Sequence, residues 1–299
     1  MHLTTRRSFL TTTATAFGAA TLLRPSMKAQ SARAPRQKNG FRIFACDWIM
    51  GISCDPAVFP MAARIGLDGV QVEFGKTPEA DGSLPLFAEA KQDQILEAAA
   101  KHSVAVSSLA LGAANRIPYK TTPEAEKWAV AAIPVMQRMK IRVVLLPFFN
   151  KGDLLDDDAG IEEVIRRLRK LGPRAQDAGV VFGLESWLKI PELERILDAV
   201  RSPAIQVYYD VGNMQKVGED YAAAIRRLGR ERICEVHLKD QDDLYGKGSM
   251  NFPAVRSALD AIDYRGWVGI EGLKLPLGIE PSIRYDLDYL RPIFPRAIG

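Results

Sequence analysis

The fold is decided by four short apolar runs that each carry a polar side chain at or next to the end. They read VVFGLE at 180–185, IQVYYD at 205–210, ICEVHL at 233–238 and WVGIE at 267–271. Their length and their content of β-branched and aromatic residues are typical of buried strands. The sequence therefore predicts four strands here, with Glu185, Asp210, His237 and Glu271 at or near their carboxyl ends.

Four more strand candidates precede these runs. They are Phe41–Ile49, Gly69–Phe74, Val104–Leu111 and Arg142–Pro147. The segments between strands repeat apolar residues every three or four positions, as amphipathic helices do. Eight strand and helix units in about 260 residues match a single (β/α)8 TIM barrel, an α/β fold. A doubly wound open sheet is the alternative, and it fits less well because no Gly-rich phosphate loop follows the first strand.

The basic residues of the chain are concentrated at its amino terminus. The chain has 40 Lys and Arg, 36 Asp and Glu, and a formal charge of +4. Residues 1–40 hold seven of the basic residues and no acidic one, which leaves 33 basic and 36 acidic residues for the rest. The basic character thus comes from the leader, and the slightly acidic body argues against nucleic acid as a partner.

Residues 1–30 resemble a twin-arginine export signal. Thr5-Arg6-Arg7-Ser8-Phe9-Leu10 is followed by an apolar run too short to span a bilayer, so stable membrane anchoring is not expected. The resemblance implies a cleavable signal segment, with Ala29 as one candidate for its last residue, and the twin-arginine export machinery as a partner. We therefore expect a signal peptide at 1–30, a disordered linker at 31–40, a barrel at 41–299, and a periplasmic or otherwise extracytoplasmic location.

The strand-end residues Glu185, Asp210, His237 and Glu271 are all able to bind a metal. They are 25, 27 and 34 positions apart, close to one strand and helix unit each. Neighbouring strands of a barrel would therefore direct them to the same rim. Three carboxylates and one imidazole favour one divalent ion such as Mn²⁺, Mg²⁺ or Co²⁺, with Zn²⁺ also feasible. Each residue alone has a structural alternative, such as capping a helix.

Strand alternation predicts two further polar residues inside the barrel, Gln206 and Glu235. Counting back in steps of two from the candidate ligands places both on the inward face. Because an unpaired buried carboxylate is costly, we expect Gln206 and Glu235 to lie beneath the metal and to orient Asp210 or His237. A pair of residues that only bond each other is the alternative.

The segments LES, YYDVGN, VHLKD and GIEG, in that order, resemble the xylose isomerase-like TIM-barrel superfamily, the sugar phosphate isomerase/epimerase family. The resemblance covers about residues 41–295. It implies that Glu185, Asp210, His237 and Glu271 are metal ligands, and that the two glutamates are also the catalytic acid and base. Asn213 stands where ketose 3-epimerases have a histidine, so that particular activity is not implied.

Four residues near the expected rim are candidate substrate contacts: Glu73, Trp187, Asn213 and Lys239. Glu73 ends the second strand, Trp187 could stack on a sugar face, and the Asn213 amide could bond hydroxyls. Trp187 could instead be an aromatic residue that only packs at the rim. Lys239 could instead pair with Asp240 at the rim and not contact substrate.

The resemblance implies a divalent-metal-dependent sugar isomerase or epimerase that acts on a ketose or keto-sugar through an enediolate. A metal-dependent lyase or hydrolase on 3-keto-glycosides, or a sugar dehydratase, is the alternative, because the same intermediate can expel a leaving group. A noncatalytic sugar-binding protein is the third hypothesis, and it predicts loss of the acid and base, which are present. The sequence leaves open which sugar is bound and whether the chain forms a homo-oligomer.

Overall fold

Eight parallel strands pair in chain order, and the eighth pairs with the first to close a barrel. The structure is a computed structural model, and it describes residues 40–272 and 274–296. The strands are β1 Ile43–Cys46, β2 Gly69–Glu73, β3 Ala105–Ala110, β4 Val143–Phe148, β5 Val181–Ser186, β6 Ile205–Asp210, β7 Ile233–Leu238 and β8 Val268–Ile270. The prediction of a single (β/α)8 TIM barrel is confirmed.

Helices connect the strands on the outside of the barrel. Within the described residues they are α1 Val58–Ile65, α2 Glu89–His102, α3 Pro123–Met139, α4 Asp158–Asp177, α5 Ile190–Val200, α6 Val211–Lys216, α7 Tyr221–Leu228, α8 Phe252–Ala261 and α9 Ile279–Leu290. Their buried faces pack on the strands in one large apolar core. None of these helices has the length and apolar content needed to cross a membrane.

The inside of the barrel is filled by side chains from its strands. Strands β2, β5 and β7 are buried along their whole length. Two glycines leave room for larger neighbours, since a Cβ on Gly269 would lie 2.1 Å from Phe44 Cζ and a Cβ on Gly183 would lie 2.5 Å from Cys234 Sγ. The centre is therefore a packed core, and chemistry is confined to the rim.

The predicted strands agree with the structure to within a few residues. Strands β6 and β7 have the predicted bounds, whereas β1 ends at Cys46 rather than Ile49. The three cysteines, Cys46, Cys54 and Cys234, are free and buried. The predicted export signal and nearly all of the predicted linker lie outside the described residues, so they stay predictions, as does the extracytoplasmic location.

Buried carboxylates fix the loop between β7 and α8 at the rim. Asp240 accepts hydrogen bonds from the backbone N–H groups of Asp242 and Met250, both at 3.1 Å. Asp286, on α9, accepts the backbone N–H of Tyr245 at 2.9 Å. Burial raises the pKa of Asp286 to about 7, and the charges of Asp240 and Asp243 also raise it. Asp240 therefore bonds the backbone of its own loop. The alternative that Lys239 pairs with Asp240 is wrong, because Lys239 pairs with Asp210 and Glu271 instead.

We expect Asp286→Asn to stabilise the protein more at pH 8 than at pH 5. The folded protein holds a proton on Asp286 that the unfolded chain releases, so the free energy of unfolding falls as pH rises from about 4 to 7. The amide keeps an acceptor for Tyr245 and carries no charge. Urea unfolding should show a stabilisation about 2 kcal/mol larger at pH 8. An equal effect at both pH values would contradict the assignment.

Candidate metal centre and adjoining cavity

The four candidate ligands meet at the carboxyl-terminal rim of the barrel. Glu185 and Asp210 lie in the last two positions of β5 and β6, His237 near the end of β7, and Glu271 directly after β8. One donor atom from each residue lies within 4.8 Å of the other three. His237 is fully buried, and the Glu271 side chain is 12% exposed. The predicted convergence of the four residues is confirmed.

The two oxygens of Asp210 have different partners. Oδ1 accepts the backbone N–H groups of Gly212 at 2.7 Å and Asn213 at 3.0 Å, which caps the amino terminus of α6. Oδ2 lies 2.6 Å from Lys239 Nζ. Capping a helix and binding a cation are therefore compatible, because the cap holds one oxygen and leaves the other for an ion.

His237 directs Nδ1 at two carboxylates. This nitrogen lies 3.0 Å from Glu185 Oε1 and 3.3 Å from Glu271 Oε2. Burial alone would lower the pKa of His237, but the charges of Glu271 and Glu185 act against burial, and the pKa is raised well above its ordinary value. The carboxylates thus favour a positive charge at Nδ1, and a bound cation would replace that proton.

The carboxylates of the cluster crowd one another in a buried place. Burial raises the pKa of Asp210 to about 8, even though the charge of Lys239 opposes the rise. Burial acts the same way on Glu271, but the charges of Lys239 and His237 lower its pKa well below the ordinary value. Negative charge at this depth is tolerable only beside compensating positive charge.

Lys239 supplies part of that positive charge. Its Nζ lies 2.6 Å from both Asp210 Oδ2 and Glu271 Oε2. These two buried oxygens are held by ion pairs, so a divalent cation would compete with Lys239 and His237 for them. One imidazole and three carboxylates with such oxygens suit one divalent ion. Lys239 contacts the candidate ligands, and its predicted contact with substrate stays a prediction.

A cavity of about 370 Å³ adjoins the cluster, and Glu185 and Glu271 both line it. Glu73 lines the same cavity, where the Ser53 hydroxyl donates to its carboxylate and burial raises its pKa. Other lining residues include Trp48, Lys76, Asn115, Arg116 and Phe149. The volume lies within the range of small-molecule sites, so the rim offers space for a ligand beside the candidate cation site.

Trp48 is a residue of the site that the sequence analysis missed. Its indole Nε1 donates to Glu271 Oε1 at 3.3 Å, and the ring lines the cavity. Trp48 lies two positions after the end of β1, so the rule that placed the ligands at strand ends could have identified it. Because β1 pairs with β8, Trp48 is close enough to hold Glu271.

Of the four predicted substrate contacts, Glu73 lines the cavity, whereas Trp187, Asn213 and Lys239 lie outside its lining. Trp187 lines a neighbouring cavity of about 710 Å³, and its ring contacts that of Phe149 with centroids 5.1 Å apart. Asn213 is buried, with its Nδ2 3.5 Å from Glu185 Oε1 and its Oδ1 3.5 Å from Lys239 Nζ. Asn213 thus contacts the residues around the candidate cation site, and a contact with sugar would require the sugar to approach that site closely.

The prediction that Gln206 lies beneath the metal is wrong. Its side-chain amide donates to the Pro203 carbonyl oxygen at 3.0 Å, and the residue is partly exposed. Gln206 precedes Asp210 by four residues, which is about 13 Å along a strand. Alternation predicts which face of the strand a side chain occupies, but not how far it lies from the rim. Gln206 is the second residue of β6, near the amino-terminal end of the barrel.

Glu235 does lie inside the barrel, but it approaches His237 indirectly. Its Oε2 accepts the hydroxyl of Tyr208 at 2.8 Å, and the Tyr208 ring packs on the His237 ring with centroids 4.5 Å apart. Burial raises the pKa of Glu235 to about 7. The inward position that alternation predicts is therefore correct for Glu235, whose link to the cluster passes through Tyr208.

The fold and the rim residues together define a TIM barrel with a candidate divalent-metal centre. Comparison with known families is more specific, because residues 59–293 match the model described as "Xylose isomerase-like TIM barrel". The match covers more than half of the chain. The chain belongs to the xylose isomerase-like TIM barrel family, as the LES, YYDVGN, VHLKD and GIEG segments predict.

Two curated relatives share much of the chain. It is 25% identical over 245 residues to the protein named "Putative L-ribulose-5-phosphate 3-epimerase SgbU" of Escherichia coli (strain K12), with 72% of this chain and 82% of that protein covered. It is 22% identical over 200 residues to the 2-epi-5-epi-valiolone 7-phosphate 2-epimerase of Actinoplanes sp., with 67% of this chain and 72% of that protein covered.

Solved structures show the same fold. The D-psicose 3-epimerase of Clostridium cellulolyticum H10, solved with D-tagatose, superposes with a TM-score of 0.69 at 14% identity over 85% of this chain and 99% of that one. The E. coli 3-keto-D-glucoside 4-epimerase YcjR superposes with a TM-score of 0.69 at 16% identity over 84% of this chain and 99% of that one.

We expect Lys239→Gln to destabilise the metal-free protein and to increase the rise in melting temperature on adding Mn²⁺. Without the ammonium, the buried Asp210 and Glu271 lose a counter-charge, which typically costs about 3–5 kcal/mol. Mn²⁺ would then bind without displacing Lys239 from the two carboxylates.

Lys216→Gln is the matched control, because Lys216 is an exposed lysine that lies over the Trp187 ring. Melting curves with and without Mn²⁺ check the prediction. If Lys239→Gln and Lys216→Gln melt alike in both conditions, Lys239 does not compensate the charge of the cluster.

Proposed function

We propose that the protein is a divalent-metal-dependent sugar isomerase or epimerase that acts on a ketose or keto-sugar. One observation carries this proposal: Glu185 and Glu271 belong both to the cluster of candidate ligands and to the lining of the cavity. A sugar in the cavity would meet two carboxylates beside a cation site. The two curated relatives and two similar structures are named as epimerases, which supports the proposal.

The proposed ligands are Glu185, Asp210, His237 and Glu271, and the proposed ion is Mn²⁺, Mg²⁺, Co²⁺ or Zn²⁺. When bound, such an ion supplies a Lewis acid that stabilises the negative charge of an enediolate. Export to the periplasm belongs to the same proposal and rests on the sequence of residues 1–30.

Glu185 and Glu271 are the proposed acid and base. They come from β5 and the end of β8, with two strands between them in the barrel, so they reach the cavity from different directions. One carboxylate takes the proton from the carbon next to the sugar carbonyl, and the other returns a proton. Return to the opposite face of the same carbon gives epimerisation, and return to the neighbouring carbon gives isomerisation. Trp48 restrains Glu271 through Oε1.

Hydrogen exchange in deuterated water tests this function. The protein is stripped with a chelator, reloaded with each of the four ions, and incubated with ketoses and 3-keto-glycosides while NMR follows deuterium uptake next to the carbonyl. We expect metal-dependent uptake with at least one sugar. Glu185→Gln and Glu271→Gln should each lower its rate by about 10²- to 10⁴-fold, the usual contribution of an acid or base.

Glu194→Gln is the control, because Glu194 is a partly buried carboxylate that pairs with Arg227 and lies outside the cluster and outside the lining of both cavities. This variant should catalyse deuterium uptake by the sugar at the rate of the unmodified protein. Sugar binding without exchange in any metal-loaded sample would favour the noncatalytic hypothesis. Absence of metal binding as well as exchange would refute the proposed function.

The neighbouring cavity favours one alternative, a lyase or hydrolase on 3-keto-glycosides. Its lining residue Trp187 contacts Phe149, which lines the candidate site, so the two cavities share an aromatic wall. A glycoside with its keto-sugar beside Glu185 could place a second group toward Trp187. Release of a free aglycone in the same NMR experiment, in place of exchange alone, would establish this alternative.

A further inference from the structure

A continuous row of hydrogen bonds runs beneath the candidate metal centre. It joins Glu235, Tyr208, Gln71 and His237, each of which is at most 2% exposed. Tyr208 OH donates to Glu235 Oε2 at 2.8 Å, and Gln71 Nε2 donates to Tyr208 OH at 3.0 Å. Gln71 Oε1 then lies 2.8 Å from His237 Nε2. The row ends on the nitrogen of His237 that faces away from the carboxylates.

The partners of Gln71 determine which end of its amide faces His237. While Glu235 is ionised it can only accept, so the one hydrogen of the Tyr208 hydroxyl goes to Glu235 and this hydroxyl accepts from Gln71. The NH₂ group of Gln71 must therefore face Tyr208, and its oxygen must face His237. Cys46 Sγ lies 3.3 Å from the same oxygen and 3.4 Å from His237 Nε2, so in this arrangement its thiol donates to the oxygen while the sulfur can accept from Nε2.

An amide oxygen at this place requires a hydrogen on His237 Nε2. That requirement leaves Nδ1 as the nitrogen available to a cation, and Nδ1 is the atom that lies among the carboxylates. A metal-bound histidine commonly donates its other N–H to such a partner, which fixes both the tautomer and the ring orientation.

We propose that Gln71 is a positioning residue, which holds His237 with Nε2–H bonded and Nδ1 presented to a divalent cation, and that Tyr208 and Glu235 fix the orientation of the Gln71 amide. Gln71 is fully buried in the middle of β2, on the opposite side of the barrel from β6 and β7. Its side chain therefore crosses the interior to reach a ligand on β7. This inference rests on the metal site of the proposed function, but its first test needs no metal.

The first test observes the Nε2 proton of His237 by NMR in protein labelled with ¹⁵N-histidine. Of the three histidines, His102 is partly exposed on α2 and gives an internal reference. We expect a slowly exchanging Nε2–H signal from His237, with and without Zn²⁺. In Gln71→Leu that signal should be lost to exchange or shift strongly, because the leucine leaves only the weakly accepting sulfur of Cys46 near Nε2.

The second test measures Mn²⁺ and Zn²⁺ affinity by calorimetry. Gln71→Leu should weaken binding by about 10- to 100-fold, as loss of such a partner does in other metal sites. Gln92→Leu is the matched control, because Gln92 is equally buried and its amide bonds Leu86 O at 2.9 Å and Arg138 Nη1 at 3.2 Å, away from the site. The control should lose stability but keep both the affinity and the His237 signal.

Tyr208→Phe keeps the inference testable if Gln71→Leu does not fold. It removes one oxygen, frees the Gln71 amide to rotate, and should weaken Mn²⁺ binding while broadening the His237 Nε2–H signal. Unchanged affinity and an unchanged signal in Tyr208→Phe or in a folded Gln71→Leu would overturn the inference. A normal Nε2–H signal in a protein that binds neither ion would refute the proposed function and leave the role of Gln71 in holding His237 intact.

Discussion

The packing of three carboxylates around one point at the barrel rim is the constraint on which the rest of the site depends. Glu185, Asp210 and Glu271 each present a donor atom to a common space that is largely closed to water. Like charges at such depth repel, and burial removes the solvent that would screen them. The surrounding residues compensate this negative charge.

Three kinds of group compensate the charge: an ammonium, a protonated imidazole and backbone N–H groups. Lys239 places an ammonium against Asp210 and Glu271, and the carboxylates favour a proton on His237 Nδ1. The start of α6 holds the second oxygen of Asp210 with two backbone N–H groups. The helix start leaves Asp210 Oδ2 for the common space, where Lys239 pairs with it. A divalent cation there would satisfy all four residues at once, and the adjoining cavity would bring a ligand beside it.

The sequence predicted the four candidate ligands because their positions follow from simple geometry. Parallel strands of a barrel end at one rim, so polar residues at successive strand ends must converge, whatever the loops do. The same reasoning extends to Glu73, which ends β2 and lines the cavity. It fails for Gln206, because alternation along a strand carries no information about depth.

Contacts across the barrel could not be predicted from the sequence. Gln71 reaches His237 from the far side, and the register between β2 and β3 shifts at Val70 and Gln71, so counting along the chain does not give its height. Trp187 follows β5, but the path of its loop places the ring in the neighbouring cavity. Such contacts depend on register, loop path and side-chain rotamer, which a single sequence does not specify.

Anomalous diffraction from crystals of the protein grown with Mn²⁺ is the most direct measurement of the central claim. The account predicts one manganese peak at the rim, within about 2.3 Å of Glu185, Asp210, His237 Nδ1 and Glu271, the distance usual for oxygen and nitrogen ligands of divalent metals. Absence of a peak at this place at saturating Mn²⁺, or a peak coordinated by His237 Nε2, would contradict it.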